Sequence, residues 1–167
     1  MRRERSAPSL SVTVTRRVRV PRGLDRLLEC VARSVLVAEG FQTGQLSIAV
    51  VGKRAMSTLH QRYMRIAGPT DVLTFDLGCD PARGHLDAEI VVCADVARHE
   101  ARARGGTPAS VRAELALYIV HGILHVAGYD DHTPRGFRSM HSREDELLNK
   151  VGLGPVFRCS GRRPCRP

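Results

Sequence analysis

The sequence predicts a single α+β domain in which helices flank a small mixed sheet. Four short segments have strand character, at 10–20, 46–51, 72–75 and 89–93, and stretches with helical spacing lie between them. Half-buried strands alternate apolar and polar residues, whereas the buried face of a helix repeats every three to four residues. The 167 residues match the length of one domain and show no internal repeat.

The first strand and helix follow from clear patterns. Apolar and polar residues alternate over 10–20, and Pro21 ends that pattern. Residues 24–39 place leucine and valine at helical spacing, with Gly40 as a plausible C-cap. We expect this helix to belong to the core.

A second strand at 46–51 leads into a short helix at 53–64. The lone His60 on this helix is expected to be a surface or hydrogen-bonded residue and not a metal ligand. The side chains expected to face inward from this helix are Met56, Leu59 and Tyr63.

The middle of the chain continues the alternation of strands and helices. A Gly-Pro turn at 68–69 precedes the strand at 72–75, and a polar loop at 79–85 precedes the apolar strand at 89–93. Asp95 is placed to cap a basic helix that runs to Arg104. After the metal-binding segment described below, a last helix is expected at 134–150.

Charge and composition favour a partner that is a polyanion. The chain has 26 Lys and Arg against 17 Asp and Glu, a formal net charge of +9. Cationic side chains that neutralise phosphates release counterions, so such a balance favours nucleic acid. We predict a disordered basic lead at 1–8, one domain at 9–153 and a flexible basic tail at 154–167.

The expected compartment is the cytoplasm. The first residues contain no apolar run, so we expect neither a signal peptide nor a membrane anchor. The five cysteines are scattered without a C-x-x-C pair, which makes a disulfide framework unexpected. Cys30 and Cys93 fall in apolar patterns and are expected in the core, whereas Cys159 and Cys165 lie in the tail.

The strongest functional pattern is a group of three histidines near residue 125. His121 and His125 are four residues apart in an apolar stretch, so a buried helix would place both imidazoles on one face. Gly128 would end this helix and let the following turn bring back His132. Three neutral imidazoles suit one zinc ion per chain, with the fourth coordination position open.

Three carboxylates near the histidines are candidates for catalysis. Asp130, Asp131 and Glu114 could transfer protons or hold a metal-bound imidazole in place. An aspartate in a turn is as often a local backbone cap, so the sequence alone leaves both roles open.

The run H-G-I-L-H-V-A-G-Y-D-D-H resembles the signature of the YbeY family of ribosomal-RNA maturation endoribonucleases, written H-G-x-L-H-x-x-G-Y-D-H. The segments PTDVLTF (69–75) and AEIVVCADVA (88–97) resemble two further family blocks, so the resemblance covers about 45–150. It implies a four-stranded sheet flanked by helices, with zinc at the end of a groove. It also implies cleavage of single-stranded RNA at the 3′ end of small-subunit ribosomal RNA, a role in ribosome quality control and contact with the small subunit.

Two departures from the family pattern bear on the site. One extra aspartate separates His125 from His132. We expect the turn to absorb it and His132 to be the third ligand; otherwise Asp131 stands at the family's histidine position. Met64 replaces the family's arginine, which makes Arg62 and Arg65 the candidates for RNA binding.

Two other functions are compatible with histidines on a helix. A zinc metalloprotease would need a general base where this chain has Gly122, and it would leave the basic charge unexplained. A non-catalytic RNA-binding assembly factor could use zinc for stability alone, although structural zinc sites usually have a fourth protein ligand.

Overall fold

The computed structural model describes residues 9–156, apart from the side chain of Arg104. Its centre is a mixed four-stranded sheet, which confirms the predicted fold class. The strands are β1 (Leu10–Arg16), β2 (Thr43–Val51), β3 (Val72–Asp76) and β4 (His85–Cys93). Their order in the sheet is β1-β2-β4-β3. The β1–β2 and β2–β4 pairs are parallel, and β3 runs antiparallel to β4 as an edge strand.

Five helices surround this sheet, and short 3₁₀ turns follow β3 and the third helix. Each predicted helix is present. The helices are α1 (Leu24–Ala38), α2 (Lys53–Met64), α3 (Ala94–Ala101), α4 (Pro108–Val126) and α5 (Pro134–Lys150).

Every strand differs from the sequence prediction at one boundary: β2 begins at Thr43 and not at residue 46, and β3 extends one residue further, to Asp76. β1 ends at Arg16 instead of continuing to residue 20. β4 begins at His85, four residues before the predicted apolar run. The added residues continue the strand because the side chains of Leu86 and Ala88 are buried in alternation and His85 pairs with Thr43 of β2. The central strands β2 and β4 therefore pair over nine residues each.

The two faces of the sheet are covered to different extents. One face, called here the covered face, packs on α1 and α4 and contributes Ile48, Ile90 and Val92 to the main core. The opposite face, called the open face, forms only a small second cluster in which Val91 packs with Met56 of α2. Successive side chains of one strand therefore lie alternately in the main core and on the open face.

α4 lies deep in the main core and begins at a defined cap. The Thr107 hydroxyl accepts a hydrogen bond from the Ser110 amide at 3.1 Å, and Pro108 occupies the first turn. Gly122 faces the sheet so closely that an added Cβ would lie 2.7 Å from Thr74 Oγ1 and 2.9 Å from Ile90 Cδ1. A glycine is therefore required for this helix to approach β3 and β4.

Three side chains lie elsewhere than the sequence suggested. Asp95 does not cap α3; its Oδ2 accepts from the Lys53 amide at the start of α2 at 2.7 Å, and its Oδ1 accepts from Arg98 at 2.6 Å. Cys30 is exposed on the outer side of α1, whereas Cys93 is buried as predicted. Tyr63 is 54% exposed and does not face inward.

The structure also bears on the expectations for His60, for the predicted tail and for membrane-spanning helices. His60 Nδ1 lies 3.0 Å from the carbonyl oxygen of Gly68, which confirms the expected hydrogen-bonded histidine. Val156, in the predicted tail, is buried against the main core. The predicted lead, residues 157–167 and both tail cysteines lie outside the described residues. Between residues 9 and 156, no helix is long and apolar enough to cross a membrane.

Candidate metal centre

The last two turns of α4 bring two imidazoles together. His121 Nε2 and His125 Nε2 are 3.0 Å apart, and the two rings are nearly perpendicular, with 85° between their planes. Both side chains are partly exposed at the end of an otherwise buried helix. Two nitrogen lone pairs converging at this distance from residues four apart can bind one cation.

The turn after α4 supplies a carboxylate to this pair. Gly128 has φ 96°, and its amide and that of Tyr129 bond back to carbonyls of the last helical turn. The chain reverses there, so that Asp131 Oδ1 lies 3.9 Å from His125 Nε2. The ligand atoms of His121, His125 and Asp131 all lie within 4.8 Å of one another.

His132, which we expected to be the third ligand, is not grouped with the two helix histidines. Its side chain is 83% exposed, and its Nδ1 lies 2.5 Å from Asp130 Oδ1 and 3.4 Å from Asp131 Oδ1. The same Asp130 oxygen accepts from the His132 amide at 3.0 Å. These contacts join His132 to the two aspartates of the turn, of which Asp131 also approaches His125. Among residues 9–156, the group that joins His121 to His125 contains Asp131 and not His132.

A buried carboxylate on α5 contacts the Nδ1 atom of His121. Glu144 is fully buried, and its Oε1 lies 2.7 Å from His121 Nδ1. Its Oε2 lies 2.6 Å from His141 Nδ1. A carboxylate that accepts from Nδ1–H of an imidazole leaves Nε2 unprotonated and fixes the orientation of the ring. His121 Nε2 is the atom that faces His125.

The electrostatics of the group favour a cation. Burial alone would lower the pKa of His121, but the hydrogen bond and negative charge of Glu144 outweigh it, so this pKa is raised. Burial and the positive charge of His121 lower the pKa of His125, which favours its neutral, ligating form. Burial would raise the pKa of Glu144, but bonds to His121 and His141 lower it. The negative surroundings that favour a proton on His121 also favour a metal ion.

The donor set fits a divalent transition metal. Two imidazole nitrogens and one carboxylate oxygen are ligands that zinc accepts, and they leave a further position open. His141 and Glu144 form a second possible group with His121, one layer deeper in the protein. His121 thus belongs to two potential metal groups, one with His125 and Asp131 and one with His141 and Glu144.

The remaining predicted site residues do not join this group. Glu114 is fully buried on α4 and belongs to none of the potential metal groups among the described residues. Asp130 is 62% exposed and hydrogen-bonded to His132. Arg62 and Arg65 are exposed at the C-terminal end of α2, where Arg65 has the left-handed φ of 59°.

Sequence reasoning missed His141 and Glu144. They are three residues apart on α5, so they share one helix face, and this spacing was the available signal. Nothing in the sequence indicated that this face would meet His121, which is 23 residues from Glu144 along the chain.

Comparison with known proteins identifies the family of this chain. The family model described as Endoribonuclease YbeY matches residues 12–152. A protein of that name from Anaeromyxobacter dehalogenans is 37% identical over 141 residues, which cover 84% of this chain and 72% of the relative. Another from Chlorobium luteolum is 34% identical over 131 residues, which cover 78% and 91%.

A solved structure shares the fold. The solution structure of TM1509 from Thermotoga maritima has a TM-score of 0.55 at 23% sequence identity, covering 95% of this chain and 99% of that chain. At this identity the likeness concerns the fold alone. The family match over most of the chain, together with relatives above 30% identity, shows that this chain belongs to the Endoribonuclease YbeY family.

Proposed function

We propose that this protein is a zinc-dependent endoribonuclease that cleaves single-stranded RNA in the cytoplasm. Its proposed target is the 3′ end of small-subunit ribosomal RNA, and its proposed roles are ribosomal-RNA maturation and ribosome quality control on the small subunit. The observation that carries the proposal is the convergence of His121 Nε2, His125 Nε2 and Asp131 Oδ1, backed by Glu144, in a chain from a family named for RNA cleavage.

We assign the zinc ligands to His121, His125 and Asp131, with one ion per chain. His132, our expectation from the sequence, is the alternative third ligand: its Nδ1 is bonded to Asp130, which leaves Nε2 available, but among residues 9–156 it forms no group with His121 and His125. When bound, zinc supplies Lewis acidity toward a phosphoryl oxygen and toward water. Glu144 keeps the Nε2 atom of His121 directed at the ligand position.

Asp130 is our candidate for proton transfer. Its carboxylate lies at the solvent side of the group and is bonded to His132. Hydrogen bonds from the His132 amide and imidazole lower the pKa of Asp130, which weakens it as a base but keeps it ionised, so that it can accept a hydrogen bond from an attacking water or hydroxyl. Glu114 is too deeply buried to touch a substrate, and we assign it no catalytic role.

Arg62 and Arg65 are our candidates for phosphate contacts. Both are exposed at the end of α2, a helix with basic residues and no acidic ones. Because a guanidinium pairs well with a phosphate, two arginines without acidic neighbours on their helix suit the backbone of an RNA chain.

The two alternative functions have less support. A metalloprotease of the predicted type needs a general base at position 122, and the 2.7 Å gap to Thr74 leaves no room there for any side chain. A purely structural zinc would be closed by a fourth ligand, whereas His141 is turned toward Glu144 at 2.6 Å.

A substrate comparison tests the proposal. Zinc-loaded protein is incubated with labelled single-stranded RNA, the same RNA in a duplex, and casein, in parallel with His125→Ala and the surface control His99→Ala. We expect cleavage of single-stranded RNA alone, retained in His99→Ala and lost with the metal in His125→Ala. Casein cleavage would support the protease instead, and equal RNA cleavage by His125→Ala would reject the metal centre as the active site.

A further inference from the structure

The open face of the sheet contains a cavity of about 830 Å³ between α2 and strands β2, β3 and β4. Its floor comes from the centre of the sheet and is apolar apart from Glu89. Its wall is formed by the inner side of α2 and by the end of β3. The lining residues most relevant to binding are Ala49, Val91, Leu59, Tyr63, Phe75 and Arg54.

An aromatic pair stands at the mouth of this cavity. The rings of Tyr63 and Phe75 are 4.9 Å apart at 70°, and Arg62 Cζ lies 5.6 Å from the centre of the Tyr63 ring. Exposed large apolar side chains are concentrated here. Between residues 9 and 156 there are five, and all but Val37 lie near the end of α2 or at the end of β3: Tyr63, Met64, Ile66 and Leu77. Such a cluster marks a binding surface.

Positive charge surrounds the aromatic pair. Arg17 and Arg54 line the cavity, and Arg54 also lines a shallow cavity of about 810 Å³ on the outer side of α2 with Lys53 and Arg62. One acid, Glu89, lies in the floor. Flat apolar surfaces beside a row of cations match a single-stranded nucleic acid, whose bases stack and whose phosphates need neutralising.

The edge strand β3 connects this cavity to the metal centre. Thr74 and Phe75 are consecutive, so their side chains point to opposite faces of the sheet. Thr74 Oγ1 contacts Gly122 of the metal-binding helix, whereas Phe75 lines the cavity. A nucleotide chain that crosses the free edge of β3 can therefore reach both the cavity and the metal centre.

We propose that this cavity binds an unpaired nucleobase of the RNA substrate, stacked on Tyr63, while Lys53, Arg54 and Arg62 contact the flanking phosphates. The proposal rests on the proposed endoribonuclease function and gives it a physical basis for single-strand preference. A base in a duplex is already stacked and paired, and it would have to leave the helix to enter the cavity. The Glu89 carboxylate can accept a hydrogen bond from an amino group of the base.

Binding measurements on the full, metal-loaded chain test this. The probe is fluorescent 2′-O-methyl phosphorothioate RNA, which resists cleavage, either single-stranded or folded into a blunt hairpin. Loss of one base stack predicts that Tyr63→Ala weakens single-strand binding roughly five- to a hundredfold. Tyr63→Phe keeps the ring and should bind like the wild type, as should Val37→Ala, which removes an exposed apolar side chain on α1. Hairpin binding should hardly change in Tyr63→Ala.

The outcomes separate this inference from the proposed function. Equal affinities for Tyr63→Ala and Val37→Ala would overturn the base site even if the wild type cleaves RNA. Displacement of the RNA by polyglutamate at equal charge concentration would overturn it in favour of an acidic polypeptide. If the wild type cleaves no RNA, the endoribonuclease proposal fails, and the Tyr63 comparison still decides whether the cavity binds a base. Because Tyr63 is 54% exposed, thermal unfolding of its variants should match the wild type.

Discussion

The two faces of the sheet hold functional side chains in different ways. On the covered face, His121 is fixed by a buried carboxylate at 2.7 Å and by a helix in direct contact with the sheet. On the open face, Tyr63 and Arg62 are exposed and held by one ring contact and one cation–π contact. A metal centre needs fixed ligand positions, whereas a surface that binds varied RNA sequences gains from side chains that adjust. The contrast predicts that substitutions on the covered face act on metal binding and stability, and those on the open face on RNA affinity.

The largest expected effect is at the third metal ligand. Asp131→Ala should reduce zinc affinity by more than the roughly 10- to 100-fold expected for an outer partner of a ligand. His132→Ala should bind zinc nearly as the wild type does, because its ring points to solvent. Titration against a chromogenic chelator measures both. Asp131→His, which restores the family pattern, should retain the metal. A large loss confined to His132→Ala would return the assignment to the histidine that we expected from the sequence.

The next effect concerns the carboxylate behind His121. Glu144→Gln keeps the size of the buried side chain and removes its charge, so zinc affinity should fall about 10- to 100-fold while the protein remains folded. Glu146→Gln on the same helix is the matched control, since Glu146 pairs with Arg143 and Lys150 at the surface. If both variants bound zinc equally well, Glu144 would have no part in positioning the ligand.

Contact between α4 and the sheet predicts a stability effect. An alanine at 122 favours a helix by about 1 kcal/mol, but overpacking against Thr74 and Ile90 should cost about 1–3 kcal/mol. Gly122→Ala should therefore lower the free energy of unfolding in urea. Adding Thr74→Ala removes the nearest atom, so the double variant should lose less than the sum of the single changes, whereas Thr74→Ser should bring no such relief. If the free-energy changes of Gly122→Ala and Thr74→Ala simply added, the contact with Thr74 would not be what limits the size of residue 122.

The smallest effect is expected from Arg62 and Arg65 at the C-terminal end of α2. Changing Arg62 and Arg65 to alanine should weaken binding of single-stranded RNA and reduce the dependence of log affinity on log salt by about 0.7 for each phosphate that is no longer neutralised. Arg26 and Arg102 are exposed arginines on other helices and form the control pair. Metal affinity should not change in either pair. Equal reductions of RNA affinity from the two pairs would mean that only net charge matters.

Local patterns predicted most of the elements and the pair of helix histidines. The spacing of His121 and His125 and the apolar character of the surrounding stretch were sufficient to place both on one buried helix, and α4 has that form. Which turn residue approaches the helix histidines could not be predicted, because it depends on how the turn closes. In the structure Asp131 approaches His125, whereas His132 is bonded to Asp130, and residue types alone do not determine this.

Other differences arise from tertiary contacts that a local pattern does not contain. Asp95 stands where a cap of α3 would be expected, but its carboxylate bonds to Lys53, 42 residues earlier in the chain. Tyr63 follows Met56 and Leu59 at helical spacing, but its ring contacts Phe75 of the edge strand and stays 54% exposed. The role of Glu144 depends on the packing of α5 against α4, which no spacing within α5 reveals.

The close approach at Gly122 also gives the two faces a mechanical connection. Because Gly122 has no side chain, the α4 backbone lies directly against the side chains of Thr74 on β3 and Ile90 on β4, and close-packed groups transmit a displacement. Phe75 lines the cavity, Thr74 touches the helix, and His121 is the residue before Gly122. Only one strand therefore separates the cavity from His121, and we expect a base bound in the cavity to alter the spacing of the proposed metal ligands.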